Sequence, residues 1–323
     1  MKMGPMILSF DVTEALPAEI TRGQRIMIAG WAFLPDDPAL LGVPAVTMTL
    51  IAGGSYDKRY HHALVAGHPG YSAAEDLAAL GNIVLLTDHL GVGESSRLPQ
   101  QSDATRHIVA RANHAAVTQF HKRLAKGELH PGFPPCADVV RIGGGHSMGG
   151  MQTIVQQAAH RSYDGIIIMG YTAEGVYLSM QGEKLRAADF LPDGPVPDYS
   201  DTDRLASRET FHWEDVPDAV LRADDALAVP TPASIGHDSI RTRIVADDAA
   251  RIDVPVYICL GERDVSPAPH REPAYYGASQ DVTLHILPRS GHCQTFASTR
   301  HRMWDRMHSW SRMVVDTVVL GEK

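Results

Sequence analysis

The sequence has few cysteines, no long apolar run and no surplus of positive charge, and each absence excludes a class of protein. Its three cysteines, Cys136, Cys259 and Cys293, are odd in number, widely spaced and without a C-x-x-C pair. They cannot form a complete disulfide framework, so we expect reduced thiols. No apolar run approaches the roughly 18 residues that a membrane-spanning helix needs. The first residues contain a lone lysine and an apolar stretch too short for a secretory signal. We therefore expect a cytoplasmic protein that does not bind membranes.

The charge balance argues against a nucleic-acid partner. Lysine and arginine number 29 against 38 aspartates and glutamates, which gives a net charge of −9. Binding to phosphates requires a surplus of basic residues or a basic stripe, and neither is present. The composition therefore favours neutral or apolar ligands, and it is compatible with a homo-oligomer. The 323 residues, 44% of them hydrophobic, are enough for one large α/β domain or two average ones.

Short β-rich runs alternate with helical patterns along most of the chain. Strands are predicted over residues 25–31, 45–52, 61–66, 82–87, 139–143, 164–170, 254–260 and 282–287. Helices are predicted over residues 72–80, 105–126 and 151–161. Several strands are nearly continuous apolar runs, which is typical of strands covered on both faces. This alternation predicts an α/β fold, with a mostly parallel central sheet, right-handed crossovers and helices on both faces.

One segment, residues 174–250, interrupts the alternation. It is polar and proline-rich, contains no strong apolar strand, and is too long for a plain loop in a compact domain. We therefore expect a single α/β core formed by residues 1–173 and 251–323, with residues 174–250 inserted as a lid of short helices and loops.

The segment Gly145-His146-Ser147-Met148-Gly149 carries the clearest chemical signal. A predicted strand leads into it and a predicted helix follows, which is the context that gives a G-x-S-x-G match its meaning. The two glycines leave room for close backbone approach on either side of a serine at a sharp turn. The helix that begins there directs its N–H groups towards an oxyanion formed at the serine. The alternative is a glycine-rich turn without catalysis.

A serine nucleophile needs a base, and the base needs an acid to orient it. Asp264 follows the predicted strand over 254–260, and His292 follows the strand over 282–287. Because loops at the carboxyl ends of parallel strands share one edge of the sheet, Ser147, Asp264 and His292 can converge.

With these residues in this order, the chain resembles the serine-nucleophile, esterase- and lipase-like branch of the α/β-hydrolases. The resemblance covers nearly the whole chain outside residues 174–250, including the segments V-A-G-H-P-G-Y-S and T-D-H-L-G-V-G-E-S-S. It implies Ser147 as the nucleophile and His292 as the general base and then acid. It also implies Asp264 as the carboxylate that orients His292. Asp88, in the second segment, is assigned to structure as an acceptor of local backbone N–H groups. The α/β-hydrolase fold with an inserted lid is thus the expected architecture.

The resemblance also suggests the donors of the oxyanion hole. Family members often carry His-Gly-x-Pro-Gly after the third strand, and the N–H of x helps to bind the oxyanion. Here the segment is residues 66–70, Pro69 has no N–H, and the correspondence gives His68 as one donor. The other is the N–H of Met148, the residue after the nucleophile. Ala66 replaces the usual histidine behind this loop, which puts the rigidity of the loop in question. The imidazole of His68 either faces the pocket or packs in the loop.

Other residues compete for these roles. Glu174 is an alternative acid, because some hydrolases take the acid from the loop it occupies, and Glu262 is a weaker one. Cys293 directly follows His292 but lacks a strand–turn–helix context of its own, so we interpret it as a packed thiol.

The histidines do not show metal-binding spacing. His107, His114 and His121 recur every seven residues, about 10 Å apart along a helix, whereas metal pairs on helices are three or four residues apart. His61 and His62 project to opposite faces if they lie on a strand. We therefore expect no metal and no cofactor.

The leading functional hypothesis is a serine hydrolase that cleaves a carboxylic ester or lactone of a small to medium, largely apolar substrate through an acyl-enzyme. The same residues would serve a thioesterase, an amidase, a carbon–carbon bond hydrolase or an acyltransferase. A non-catalytic ligand receptor on a hydrolase fold is the alternative from another class. The aromatic residues of the expected lid either line the pocket or form its own small core: Tyr177, Phe190, Tyr199, Phe211 and Trp213.

Overall fold

A central sheet of eight strands organises the computed structural model, which describes residues 4–192 and 194–321. The strands of the described residues are, in sequence order, β1 (Met6–Asp11), β2 (Met27–Phe33), β3 (Ala45–Ile51), β4 (Ile83–Thr87), β5 (Val139–His146), β6 (Gly165–Met169), β7 (Tyr177–Met180), β8 (Glu183–Arg186), β9 (Tyr199–Ser200), β10 (Thr231–Pro232), β11 (Val256–Gly261) and β12 (Val282–Leu287). The central sheet has the order β1-β2-β4-β3-β5-β6-β11-β12. Neighbouring pairs from β4 to β12 are parallel, and β1 and β2 are antiparallel additions at one edge. The predicted mostly parallel α/β sheet is confirmed.

Helices cover both faces of this sheet. The helices of the described residues are α1 (Ala18–Thr21), α2 (Ala73–Ala79), α3 (Arg106–Ala125), α4 (Met148–His160), α5 (Arg208–Phe211), α6 (Asp218–Asp225), α7 (Ala233–Ile240), α8 (Ala246–Ala249) and α9 (Arg300–Gly321). Helices α3 and α4 pack on one face through residues such as Phe120 and Ile154. Helices α2 and α9 pack on the other face through Leu77 and Trp304. The strands between them read as apolar runs because both of their faces are buried.

One predicted strand is wrong. Residues 61–66 do not join the sheet; Lys58–His62 form a 3-10 helix, and a turn follows. The predicted strand over 25–31 is present but shifted to Met27–Phe33, and the helix predicted from residue 151 begins at Met148. The remaining predicted strands are confirmed to within a few residues.

Residues 174–250 connect β6 to β11, which are adjacent parallel strands of the sheet. The segment contains two small antiparallel sheets, β7–β8 and β9–β10, and the short helices α5 to α8. Its strands have two to four residues, in keeping with the lack of a strong apolar strand in the sequence. The expected division into core and lid includes residues 1–3, 193, 322 and 323, which lie outside the described residues.

Within residues 4–192 and 194–321, no helix combines the length and apolar character that crossing a bilayer requires. The first three residues of the amino-terminal stretch, used above to argue against a secretory signal, lie outside that part of the chain.

Candidate active site

Ser147 occupies a sharp turn between β5 and α4. Its backbone is in the left-handed region, with φ +53° and ψ −121°, which is rare for a residue with a side chain and is kept only by a well-determined surrounding. Glycines make the turn fit: a Cβ on Gly145 would lie 2.0 Å from the carbonyl oxygen of Gly149, and one on Gly149 would lie 2.4 Å from that of Ile51. The sequence therefore holds the serine above the carboxyl end of β5.

The structure brings His292 and Asp264 to this turn from the ends of β12 and β11. His292 Nε2 lies 2.9 Å from Ser147 Oγ, and His292 Nδ1 lies 2.7 Å from Asp264 Oδ1. Because a carboxylate only accepts, Nδ1 donates and leaves Nε2 to accept from the serine hydroxyl. All three predicted residues thus converge, in the order serine, base, acid.

Asp264 is 4% exposed, and both of its carboxylate oxygens accept hydrogen bonds. Besides His292, Oδ1 accepts from the N–H of Val265 at 2.7 Å. Oδ2 accepts from the N–H of Gly261 at 2.7 Å and from Gln294 Nε2 at 3.1 Å. These donors fix the direction of the carboxylate.

The inserted segment contacts the backbone of His292. The N–H of His292 donates to the carbonyl of Thr210 at 2.8 Å, and the N–H of Cys293 donates to the carbonyl of Phe211 at 2.8 Å. The ring of Phe211 lies 5.6 Å from that of His292, centroid to centroid. These contacts link the position of the base to residues 174–250, a link that no sequence pattern signalled.

His146, the residue before the serine, is a second feature that the sequence analysis missed. Its Nε2 donates to the carbonyl of His292 at 2.8 Å, and its ring stacks on Tyr60 at 4.5 Å. Burial, followed by the nearby His292, holds the pKa of His146 well below its ordinary value. His146 is therefore neutral, and its hydrogen bond fixes the backbone carbonyl of His292.

The structure does not bring His68 to this site. Its N–H donates to the carbonyl of Val65 at 3.0 Å, within a turn, so this amide is not available to an oxyanion. The prediction of His68 as a donor is wrong because it depends on a strand over 61–66, and that strand does not exist. The imidazole of His68 is also absent from the residues that line the cavity beside Ser147.

The loop that reaches the serine is the one after β3. β3 lies beside β5 with Ile51 opposite Gly145, so the chain beyond β3 passes over the nucleophile turn. A Cβ on Gly53 would lie 3.0 Å from Ser147 Cβ and 2.9 Å from His146 Nδ1, and Gly54 lines the cavity. Gly53 and Gly54, directly after the predicted strand over 45–52, were the sequence signal for this loop.

Met148, the other predicted donor, is the first residue of α4. The first N–H groups of a helix have no acceptor within the helix and point away from its amino end. The position of Met148 is therefore compatible with the predicted role.

The competing candidates are engaged elsewhere. Glu174 lies 3.5 Å from Arg243 in an ion pair, and Glu262 accepts from the N–H of Arg289 at 2.9 Å. Cys293 is 2% exposed, and burial followed by Asp224 raises the pKa of its thiol well above the ordinary value. A buried, protonated thiol is inert as a nucleophile.

Four of the five histidines considered as metal ligands have separate partners, and the fifth, His107, is exposed. His114 Nδ1 lies 2.9 Å from Ser162 Oγ, and His121 Nε2 lies 3.0 Å from Thr47 Oγ1. His61 donates to the carbonyl of Ile51 at 3.2 Å, and His62 contacts Ser72 Oγ at 2.7 Å. The seven-residue repeat is therefore a partly buried polar stripe.

A buried polar cluster beneath the site combines His212, Asp224 and Cys293, whose potential ligand atoms lie within 4.8 Å of one another. Asp224 accepts from Tyr56 Oη at 2.8 Å, lies 2.9 Å from His212 Nε2, and pairs with the guanidinium of Arg204. Arg204 thus supplies the positive charge that balances the carboxylate. The arrangement fits an ion-pair network between core and insertion better than a cation site, which would require the protonated Cys293 to ionise.

A cavity of about 360 Å³ opens beside Ser147 and His292. Its apolar lining includes Val176, Leu178, Met180, Ala187, Phe190, Leu191, Pro192, Ala206, Phe211, Ile240 and Val265. Its polar lining includes Ser55, Ser200, Asp201, Thr202, Asp203, Ser207, Thr231, His237 and Ser239. Of the five aromatic residues of the expected lid, Phe190 and Phe211 line the cavity. Tyr199 donates to the carbonyl of Gly91 at 3.2 Å, and Trp213 lies under Arg263.

The sheet order and the meeting of a serine, a histidine and an aspartate at three strand ends define the α/β-hydrolase class. The model of the family described as "Serine aminopeptidase, S33" matches residues 70–297. The chain belongs to this family of hydrolases. The matched range includes Ser147, Asp264 and His292, whereas the loop after β3 precedes it.

Solved structures with this fold align over nearly the whole chain. A soluble variant of monoglyceride lipase from Saccharomyces cerevisiae has a TM-score of 0.66 and 15% identity, covering 97% of this chain and 96% of its own. A bromoperoxidase from Bacillus anthracis has a TM-score of 0.61 and 14% identity, covering 96% of this chain and 99% of its own. Est1E from Butyrivibrio proteoclasticus, with ferulic acid bound, has a TM-score of 0.54 and 16% identity, covering 90% of this chain and 96% of its own. At these identities the likeness concerns the fold. No curated relative matches the chain in sequence.

Proposed function

We propose that the protein is a serine hydrolase that cleaves carboxylic esters or lactones through an acyl-enzyme. The observation that carries the proposal is the hydrogen-bonded series Ser147 Oγ, His292 Nε2, His292 Nδ1 and Asp264 Oδ1, with distances of 2.9 and 2.7 Å, at the edge of a cavity. This geometry is what a serine needs to become nucleophilic at neutral pH.

The reaction has two halves. Ser147 Oγ bonds to the ester carbonyl carbon while its proton passes to His292 Nε2, and Asp264 stabilises the imidazolium that results. His292 then returns the proton to the leaving alcohol oxygen as the carbon–oxygen bond breaks. Water repeats the sequence: its oxygen bonds to the acyl carbon, its proton passes through His292 to Ser147, and a carboxylic acid leaves.

The oxyanion formed in each half needs two N–H donors. Met148 supplies one from the first turn of α4, and we assign the other to Gly54 in the loop after β3. Gly54 and Ser55 of this loop line the cavity. Because the N–H of Ser55 is already donated to Thr231, the assignment falls on Gly54. Removal of one such donor costs about 10²- to 10³-fold in kcat in comparable enzymes.

The cavity favours a neutral, largely apolar substrate of small to medium size. Among the residues that line it within the described chain, no lysine or arginine is present, whereas Asp201 and Asp203 are. An anionic substrate would have no counter-ion there and would meet two carboxylates. The apolar wall suits an acyl or aryl group.

Residues 174–250 serve as the lid in this proposal. They contribute most of the cavity lining, and a covered site excludes water that would compete for the donors. The core of the enzyme is then formed by residues 1–173 and 251–323.

The test combines covalent labelling with turnover. A fluorophosphonate probe should label Ser147, as located by peptide mass spectrometry, and nitrophenyl esters of graded acyl length should be turned over many times. Ser147→Ala should abolish both, while Ser309→Ala, an exposed serine on α9, should retain both. A single burst without turnover would indicate a ligand receptor, and full activity of Ser147→Ala would refute the proposed nucleophile.

A further inference from the structure

The loop after β3 contains two consecutive glycines, Gly53 and Gly54, which have no side-chain contacts to fix their conformation. Gly53 and Gly54 have no side chains, and a Cβ on Gly53 is sterically excluded by Ser147 and His146. Glycine has more conformational freedom than any other residue. The direction of the Gly54 N–H therefore depends on what fixes the residues at either end of the glycine pair.

The first end is fixed by the core. His89 Nε2 donates to the carbonyl of Ala52 at 2.8 Å. Burial lowers the pKa of His89 to about 4, so this donor is a neutral imidazole near neutral pH. The carbonyl before the glycine pair thus has a fixed direction.

The second end is fixed by the inserted segment alone. The N–H of Ser55 donates to Thr231 Oγ1 at 2.7 Å, and Ser55 Oγ lies 2.7 Å from Thr202 Oγ1. The carbonyl of Ser55 accepts from the N–H of Val229 at 3.0 Å. Every polar group of Ser55 is therefore bonded to residues 174–250.

Ser55 also has a backbone conformation that needs support. Its φ is +63°, in the left-handed region that residues with a side chain rarely adopt. Such a conformation persists where the surroundings over-determine it, and it is common beside functional sites. The hydrogen bonds of Ser55 with Thr231, Thr202 and Val229 provide that support.

We propose that Thr231 is a positioning residue for ester hydrolysis: by accepting the Ser55 N–H, it holds the neighbouring Gly54 N–H towards the carbonyl oxygen of the substrate. Thr231 is 3% exposed, and a Cβ on Gly54 would lie 4.0 Å from its Oγ1. The inserted segment would then complete the oxyanion hole as well as cover the cavity. This inference depends on the proposed function and assigns a residue outside the predicted set.

The test uses Thr231→Val, which keeps the shape and removes the acceptor, and Thr231→Ser, which keeps the acceptor. Thr231→Val should lower kcat on a nitrophenyl ester by about 10- to 100-fold while KM changes by less than about threefold. Thr231→Ser should restore kcat to within about threefold of the parent protein. Ser234→Ala, which removes a different hydrogen bond from the segment to the core, Ser234 Oγ to the carbonyl of Ala104 at 2.9 Å, should leave kcat within about twofold.

A transition-state analogue separates positioning from general loosening. An aryl trifluoromethyl ketone accepts Ser147 Oγ at its carbonyl carbon, with the proton passing to His292, and leaves an oxyanion in the hole. Its inhibition constant should rise in Thr231→Val by about the factor by which kcat falls. Equal loss of kcat in Ser234→Ala, or an unchanged kcat in Thr231→Val, would overturn the assignment. Failure of the parent protein to turn over any ester would instead refute the proposed function, so the two failures are distinct.

Discussion

Asp264 faces His292 through one carboxylate oxygen while its other oxygen accepts two further N–H groups, from Gly261 and Gln294. The bonds to the second oxygen hold the carboxylate in its orientation whether or not His292 is bonded to the first oxygen. The alternative acid, Glu174, is paired with Arg243 at the surface.

The first prediction compares these two acids. Asp264→Asn should lower kcat by about 10²- to 10⁴-fold, because an amide facing His292 Nδ1 favours the wrong tautomer of the base. Glu174→Gln should leave kcat within about twofold, since it removes only an exposed ion pair. Steady-state hydrolysis of a nitrophenyl ester measures both, and the reverse ranking would make Glu174 the acid.

The second prediction concerns the space at Gly53. In Gly53→Ala the new Cβ would lie 3.0 Å from Ser147 Cβ and 2.9 Å from His146 Nδ1, so the loop or the nucleophile turn must shift. Ester hydrolysis should fall by about 10-fold or more. Gly277→Ala, at a glycine with open space around it, is the matched control and should hydrolyse the ester as fast as the parent protein. Equal activity of the two variants would contradict the close approach of the loop to Ser147.

The third prediction concerns the buried network below the site. Asp224 is 0% exposed and Arg204 11% exposed, so Asp224→Asn leaves a buried guanidinium without its main partner. The free energy of unfolding should fall by about 3–5 kcal/mol. Asp225→Asn also removes a carboxylate bonded to Arg204, but Asp225 is 38% exposed, and the expected loss is about 1 kcal/mol or less. Urea unfolding of the two variants gives the comparison, and similar losses would show that burial is not the deciding factor.

The fourth prediction concerns pH. Burial lowers the pKa of both His61 and His89 to about 4, from an ordinary value of 6.5. Between those values the unfolded chain binds protons that the folded chain does not, so stability decreases as pH falls from 6.5 towards 4 and levels off below. Above pH 6.5 these residues contribute no pH dependence. Each contributes a slope of up to about 1.4 kcal/mol per pH unit.

The matched variant for that measurement is His89→Gln, which can still donate to the carbonyl of Ala52 but does not titrate. Unfolding free energies at about pH 7.5, 6 and 5 should decrease less steeply for this variant than for the parent protein. Parallel curves would mean that His89 is not the neutral, buried donor that its surroundings indicate.

Patterns within single strands and turns were sufficient to predict most of the fold and the three converging residues. The apolar runs of β6 and β11 are readable because both faces of those strands are buried. The glycines beside Ser147 are readable because close backbone packing leaves no room for a side chain. In each case a local constraint dictates a local residue type.

The sequence was misleading where contacts between residues far apart in the chain determine the local structure. Residues 61–66 look like a strand because they form a β-rich run beside turn residues, but they form the end of a 3-10 helix and a turn. His61 donates a side-chain hydrogen bond to the carbonyl of Ile51 at the end of β3 and does not pair with that strand. That error displaced the expected oxyanion donor to His68. The network of Asp224 with Tyr56 joins residues 168 positions apart, and no spacing rule links such partners.

The hydrogen bonds of Ser55 have a consequence for protein engineering. An insertion between β6 and β11 is the natural place to exchange one substrate pocket for another, because the sheet continues on both sides of it. In this chain such an exchange would also remove the acceptor for the Ser55 N–H and the donor to its carbonyl. A transplanted segment would therefore need its own equivalent of Thr231 and Val229, and chimeras designed only on cavity shape should fold with an intact serine, histidine and aspartate yet turn over slowly.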